Sequence, residues 1–273
     1  MSRLLDAIQP GAGLVRTGHR GARGLAPENT LAGMEAGARA GVDVLEFDVH
    51  RTRDGELVVI HDETVDRTCD GSGRVADLTL PELRRLDAGY WFTQDGGKTY
   101  PYRGRGVVIS TLSEVMEAYP EHLLTVEIKP SPYPDHVGKV VRTLQDQAGG
   151  RALIGCFEHG ILEEVRALAP EIPTSASLWE IQKFFFLQLT GLERWFGSPA
   201  KVLQVPRYSN HDHDTGLPVT SGRFVRAAQA TGRSVQVWTI NEPRVMDELF
   251  GLGVDGITTD LPQVLNDALA ARL

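Results

Sequence analysis

Cysteine is nearly absent from this chain of 273 residues: Cys69 and Cys156 are its only two. One pair cannot build a disulfide framework, so the fold must rest on a packed core, and both thiols are expected to be reduced and structural. Long apolar runs are missing too. No stretch approaches the ~20 residues that span a bilayer, and the opening MSRLLDAIQPGAG has no apolar segment of signal-peptide kind. The expectation is a soluble, cytoplasmic protein without a transmembrane segment. Basic excess is lacking as well: Lys+Arg number 28 against 36 Asp+Glu, a net charge of −8. General nucleic-acid binding needs a basic face, so that partner is set aside. An acidic chain can still hold a cation and, through it, an anionic substrate. No internal repeat or low-complexity tract is evident, and the hydrophobic fraction of 41% suffices for a full core.

What is there is an alternation. Short β-rich runs fall at residues 14–17, 44–49, 57–60, 124–128, 153–156, 173–177, 202–205, 235–239 and 256–258. Amphipathic runs follow most of them, at 30–40, 137–147, 161–168, 221–231, 243–252 and 261–273. Strand then helix, repeated, means a parallel sheet with crossovers. About eight such units in this length predict an α/β fold, a (β/α)₈ TIM barrel, with residues 1–273 as a single domain. The run at 57–60 is the surplus one. Asp54-Gly55 before it reads as a hairpin turn, and 48–57 is too short for a crossover helix. A two-residue turn there would set His61 opposite Asp48, at the barrel mouth. Residues 62–113 then read as an insertion over the C-terminal mouth, where Thr79-Leu80-Pro81-Glu82 is a capping-box pattern.

In such a barrel the polar residues at strand C-termini form the active site. The strand ends supply His19, Arg20, Glu46, Asp48, Glu127, Lys129, Gln204, Trp238 and Asn241, with His61 from the hairpin. In Glu46-Phe47-Asp48 and Glu127-Ile128-Lys129 the charges alternate with apolar residues, so each charged pair faces one side. Inward acids need partners. One reading is a buried ion-pair network of Glu46, Asp48 and Glu127 with Arg20 and Lys129. The sharper one is a single divalent cation, Mg²⁺ or Ca²⁺, on three carboxylates, with Arg20 and Lys129 offsetting an incoming phosphate. Two histidines flanking a reacting centre would serve as general acid and base. Together these groups describe phosphodiester cleavage.

At this point the sequence resembles the glycerophosphodiester phosphodiesterase family, relatives of the phospholipase C-like barrels. The resemblance runs through His19-Arg20-Gly21, Pro27-Glu28-Asn29-Thr30, Leu45-Glu46-Phe47-Asp48-Val49, Thr52-Arg53-Asp54-Gly55 and Val58-Val59-Ile60-His61-Asp62. It continues through Glu127-Ile128-Lys129, Leu203-Gln204-Val205-Pro206, Val237-Trp238-Thr239-Ile240-Asn241 and Gly253-Val254-Asp255-Gly256-Ile257-Thr258-Thr259-Asp260. It implies a metal-dependent TIM-barrel hydrolase that cuts glycerophosphodiesters to sn-glycerol 3-phosphate and an alcohol. Glu46, Asp48 and Glu127 would bind the metal, His19 and His61 would be the acid–base pair, and Arg20 and Lys129 would contact phosphate. Trp238 would line the glycerol side, and Gln204 joins the substrate-binding set.

Three stretches stay open. In Pro27-Glu28-Asn29-Thr30, Asn29 or Thr30 is expected to cap the first helix, with Glu28 orienting a site residue. His211-Asp212-His213-Asp214 looks metal-binding in isolation but is expected to be a solvated loop. Phe184-Phe185-Phe186, beside Trp179 and Trp195-Phe196, exceeds what one buried helix face needs; an exposed apolar wall there would hold a lipid chain or touch a membrane surface. The competing functions are therefore a lysophospholipase D-type hydrolase and a catalytically silent phosphodiester-binding barrel.

Overall fold

The computed structural model describes residues 3–210 and 215–272. The strands are β1 (Val15–Gly18), β2 (Val44–Arg51), β3 (Leu57–Val59), β4 (Leu123–Ile128), β5 (Ala152–Gly155), β6 (Val202–Pro206), β7 (Tyr208–Asn210), β8 (Thr215–Pro218), β9 (Ser234–Trp238) and β10 (Gly256–Thr259). Seven of them make one curled parallel sheet, in the order β5-β4-β2-β1-β10-β9-β6. The curl is completed by the stretch after β5, where Thr174 bridges Ile154 and Ser175 bridges Val202, both in parallel. This is the expected TIM barrel, with one stave thinner than foreseen. Pro173 has no N–H to donate, and Ser177 is already the N-cap of helix Leu178–Thr190, so only residues 174–176 are left to pair.

Strand alternation sorts side chains into layers. From β2 and β4, Leu45, Phe47, Val49, Leu124, Val126 and Ile128 point outward into a core shared with the surrounding helices. At the lower end of the barrel, Val15, Val44, Leu123, Leu153 and Val202 close the interior with Leu4 and Ile8 of the N-terminal segment. The inward positions turn polar toward the upper end. Val44 gives way to Glu46 and Asp48, and Leu123 to Thr125 and Glu127. An apolar plug below and a charged mouth above follow from one period-two pattern. Among the described residues, no helix is long and apolar enough to cross a membrane.

The Asp54-Gly55 hairpin exists, but its register differs from expectation. β3 pairs antiparallel with β2 as Val49↔Val59, His50↔Val58 and Arg51↔Leu57. The loop is Arg53-Asp54-Gly55, closed by Thr52 N–H to the Glu56 carbonyl at 2.9 Å. The Thr52 hydroxyl bonds Asp54 and accepts the Glu56 N–H, which favours three loop residues over two, with Gly55 at φ 91°. Ile60 rather than His61 therefore bonds Asp48, through its N–H at 3.1 Å. After β3 the chain still turns back to the mouth. The insertion beyond it packs Val65, Cys69, Val75, Leu83, Ala88 and Ile109 against Val58 and Ile60. Its short helix Leu80–Leu83 carries the expected Thr79/Glu82 capping box. The antiparallel pairing of β7 with β8 was not foreseen, and His211-Asp212-His213-Asp214 lies outside the described residues.

Candidate active site

The turn after β1 is set by close backbone packing. Gly21, at φ 87°, lies where a Cβ would come within 2.5 Å of the Gly33 backbone. Arg20 itself has φ 52°, a left-handed value that costs a non-glycine residue roughly 1 kcal/mol. That conformation aims the Arg20 N–H at Glu46 Oε2, 2.7 Å away. It also sends the guanidinium to Glu28, with Nη1 to Oε1 at 2.7 Å. Thr30, not Asn29, caps helix Leu31–Arg39 through its side chain. Asn29, at φ 56°, instead brackets Asp48: its Nδ2 donates to Asp48 Oδ2 at 2.8 Å and its Oδ1 accepts the Asp48 N–H at 3.2 Å.

β2 and β4 run in register with Asp48 beside Glu127. This brings one carboxylate oxygen each from Glu46, Asp48 and Glu127 within 4.8 Å of one another. Lys129 pairs with Asp48 Oδ1 at 2.8 Å and with Glu127, and Arg20 Nε lies 3.7 Å from Asp48 Oδ2. Burial, with Asp48 and Glu127 alongside, pushes the Glu46 carboxyl well above the usual carboxylate range. Burial raises Glu127 too. Asp48 behaves oppositely: burial opposes its charge, but Lys129, His61 and Arg20 outweigh it and hold the carboxyl low. Two of the three acids thus have a cation, as an ion-pair network would require. Glu46 is the exception: among the described residues its carboxylate takes the Arg20 backbone N–H but forms no ion pair, and the Arg20 charge lowers it too little to offset burial.

Each histidine is held by a carboxylate on the same ring atom. His19 Nδ1 lies 2.6 Å from Asp260 Oδ1, and His61 Nδ1 lies 2.6 Å from Asp62 Oδ1. An ionised carboxylate only accepts, so Nδ1 carries the proton and the neutral ring keeps Nε2 as its acceptor. Burial depresses both imidazoles below their ordinary value. For Asp260, burial opposes ionisation, but the His19 hydrogen bond and Arg23 bring it down to about 2. Asn241 fixes Asp260 in turn, donating Nδ2 to Oδ2 at 2.8 Å and accepting the Asp260 N–H at 2.9 Å.

His19, Arg20, Glu46, Asp48, His61, Glu127, Lys129, Gln204 and Trp238 line one cavity of about 520 Å³. Of the strand-end residues expected from the sequence, Asn241 does not line it and bonds Asp260 behind His19 instead. Gln204 bonds Gln236 from below at 3.1 Å. One wall is apolar: Phe157 stands edge-on to Trp238 at 5.7 Å, near Ile181 and Ala176. Sequence reasoning gave no role to Arg23, Asp260 or Arg67, and gave Asn29 only that of a possible helix cap. Asn29 and Arg23 flank the histidine turn, and a left-handed position suits asparagine, which is the one local signal available. Asp260 is 241 residues from the ring it holds. Cys156 is buried beside the cavity, and its Sγ donates to the Ile128 carbonyl; burial pushes that thiol up to about 12, which disfavours the thiolate.

The phenylalanine run divides. Phe184 is buried between Phe196 and Phe224, Phe185 is half-buried, and Phe186 is 65% exposed. Trp179, Leu189 and Trp195 are exposed with it.

Residues 19–264 match the model of the Glycerophosphoryl diester phosphodiesterase family. The Glycerophosphodiester phosphodiesterase of Caldanaerobacter subterraneus is 34% identical over 253 residues, covering 90% of this chain and 94% of that one. The solved structure of an Oleispira antarctica phosphodiesterase, in complex with the product sn-glycerol-3-phosphate, superposes with a TM-score of 0.74 at 27% identity, over 94% of this chain and 96% of that one. Lysophospholipase D GDPD1 of Homo sapiens is 28% identical over 273 residues, covering 92% of this chain and 84% of its own.

Proposed function

Because the chain belongs to the glycerophosphoryl diester phosphodiesterase family, we propose that it hydrolyses glycerophosphodiesters to sn-glycerol 3-phosphate and an alcohol by acid–base catalysis between His19 and His61. The carrying observation is the pair of carboxylate-bound histidines opening on the cavity that holds the acidic triad. The phosphate lies over the triad. Arg20 and Lys129 take its charge, Trp238 packs on the glycerol, and Gln204 bonds the substrate from the cavity floor. One histidine accepts the proton of the attacking hydroxyl at Nε2, and the other gives a proton to the oxygen of the departing alcohol. Burial lowers both rings and so favours their neutral form when the site holds no anion. A phosphodiester anion raises the nearer imidazole and so supplies the protonated partner. Asp260 and Asp62 stabilise whichever imidazolium forms.

Glu46, Asp48 and Glu127 fit a divalent cation. They are hard oxygen donors close enough to share one ion, and among the described residues Glu46 forms no ion pair, the Arg20 charge reaching it only from a distance. Mg²⁺ or Ca²⁺ there would polarise the phosphate and stabilise the developing negative charge. The test is release of glycerol 3-phosphate from glycerophosphocholine, with and without chelator. Release that survives exhaustive chelation would overturn the metal assignment, and no release at all would overturn the activity.

A second reading, cleavage of lysophospholipids, is favoured by the apolar lip. Phe157, 46% exposed, carries the apolar wall to the cavity rim, where an acyl chain would leave the site. Turnover of lysophosphatidylcholine beside glycerophosphocholine decides it, with Phe157→Asp raising KM only for the lysolipid.

A further inference from the structure

Arg67 belongs to the insertion, yet its guanidinium reaches both sides of the site. Its Nε and Nη2 bond Asp62, to Oδ2 at 2.6 Å and Oδ1 at 3.1 Å. Its Nη1 and Nη2 bond Glu28, to Oε2 at 2.8 Å and Oε1 at 2.6 Å. Each carboxylate then makes one more contact, inward: Asp62 Oδ1 to His61 Nδ1 at 2.6 Å, and Glu28 Oε1 to Arg20 Nη1 at 2.7 Å. His61 follows β3 and Arg20 follows β1, so these two side chains come from separate elements. We propose that Arg67 is a positioning residue, by which the insertion locks His61 and Arg20 to each other through Asp62 and Glu28. This rests on the phosphodiesterase reading of the same site.

Fold stability alone does not account for the arrangement. Glu28 is only 12% exposed and gains from its pair, but Arg67 is 46% exposed and Asp62 30% exposed, and surface ion pairs such as Arg67–Asp62 contribute only about 0–1 kcal/mol. Geometry does account for it. A planar fork with five donors can make two bonds to each of two carboxylates at once, which the three donors of an ammonium cannot. The turn that carries Arg67 is itself pinned, because Val65 and Cys69 on either side are buried in the insertion's own core and Cys69 N–H bonds the Val65 carbonyl at 2.9 Å. The charge arithmetic matters too. Arg67 answers most of the Glu28 charge, which leaves Arg20 cationic toward a phosphate. Without Arg67, Glu28 would draw on Arg20 alone.

The experiment is steady-state hydrolysis of glycerophosphocholine by wild type, Arg67→Ala, Arg67→Lys, Asp62→Asn, Glu28→Gln and the Arg67→Ala/Asp62→Asn double variant, with crystal structures of wild type and Arg67→Ala. Loss of a supporting residue of this kind costs about 10–100-fold. Arg67→Ala should lose that much in kcat and also raise KM. Asp62→Asn should reproduce mainly the kcat loss and Glu28→Gln mainly the KM rise. The double variant should be little worse in kcat than Asp62→Asn. Arg67→Lys should recover only part of the activity, and millimolar methylguanidinium should raise the activity of Arg67→Ala but not of wild type. Arg67→Ala with wild-type kcat and KM overturns the proposal, as does a loss that neither lysine nor methylguanidinium relieves. If wild type releases no glycerol 3-phosphate, the phosphodiesterase reading fails, and the structures decide Arg67 separately: its removal should displace the His61 ring and the Arg20 guanidinium together, and both staying in place refutes it.

Discussion

Asp260 and Asp62 each hold one imidazole by Nδ1, which under the proposed mechanism leaves each Nε2 to work. Positioned proton transfer is worth about 10²–10⁴-fold, so His19→Ala and His61→Ala should each lower kcat by that order. Divalent-ion binding, followed by calorimetry, should persist in both variants. Near-normal turnover by His19→Ala would reduce the turn after β1 to scaffold. Asp260→Asn should act through His19 and cost less than removing the ring. Glu46→Ala, Asp48→Ala or Glu127→Ala should each nearly abolish activity, and EDTA should do so reversibly. The two histidines, the three acids, Arg20 and Lys129 were legible as candidates for one cavity because period two is a local rule: Glu-Phe-Asp by itself shows which residues share a face. Asn29, Asp260 and Arg67 were not, since each acts on a partner that only the closed barrel brings near. Proline 27 to threonine 30 illustrates the limit. Cap chemistry narrowed the helix start to two residues, and Asn29 turned out to serve Asp48 instead.

At the scale of elements, the turn after β1 depends on backbone-to-backbone contact with helix Leu31–Arg39. An alanine at Gly21 would meet the Gly33 carbonyl carbon at 2.5 Å with φ at +87°. The left-handed φ costs about 1–2 kcal/mol, and overpacking against backbone adds about 1–3 kcal/mol. Gly21→Ala should therefore lower Tm by on the order of 10 °C, with kcat falling as Arg20 and His19 shift. A variant melting within two or three degrees of wild type (differential scanning calorimetry) would show that the helix can yield. The hairpin teaches a related lesson. Its existence was readable from Asp54-Gly55, but its register was set by the Thr52 hydroxyl, and a side chain bonding across its own loop leaves no periodic trace. Pro173 similarly cut an expected strand to a pair of bridges.

For the whole molecule, the charge network predicts how the fold responds to acid. Burial opposes the Glu28 charge, but Arg67 and Arg20 bring its carboxyl to about 2, below an ordinary value of 4.5; Asp260 is likewise at about 2. A carboxyl that is more acidic folded than unfolded adds stability above its unfolded value and loses it as protons are forced on. The fold should weaken as pH falls from about 4.5 toward 2, with Glu28 responsible for roughly 3 kcal/mol. Urea unfolding across that range should show a shallower decline for Glu28→Gln, and identical slopes would remove Glu28 from the account. A different consequence follows from the thin eighth stave. β2 and β4 share six paired positions, whereas residues 174–176 hold the two edges together through single bridges to Ile154 and Val202. A closed cylinder breathes where its wall has fewest bonds. Amide deuteration should therefore enter first at Ser175 and Ala176, well ahead of Phe47 and Val126. Ser175 and Ala176 also face the cavity, so the transient gap would be a side door on the apolar wall, through which a bulky alcohol could depart without passing the histidines.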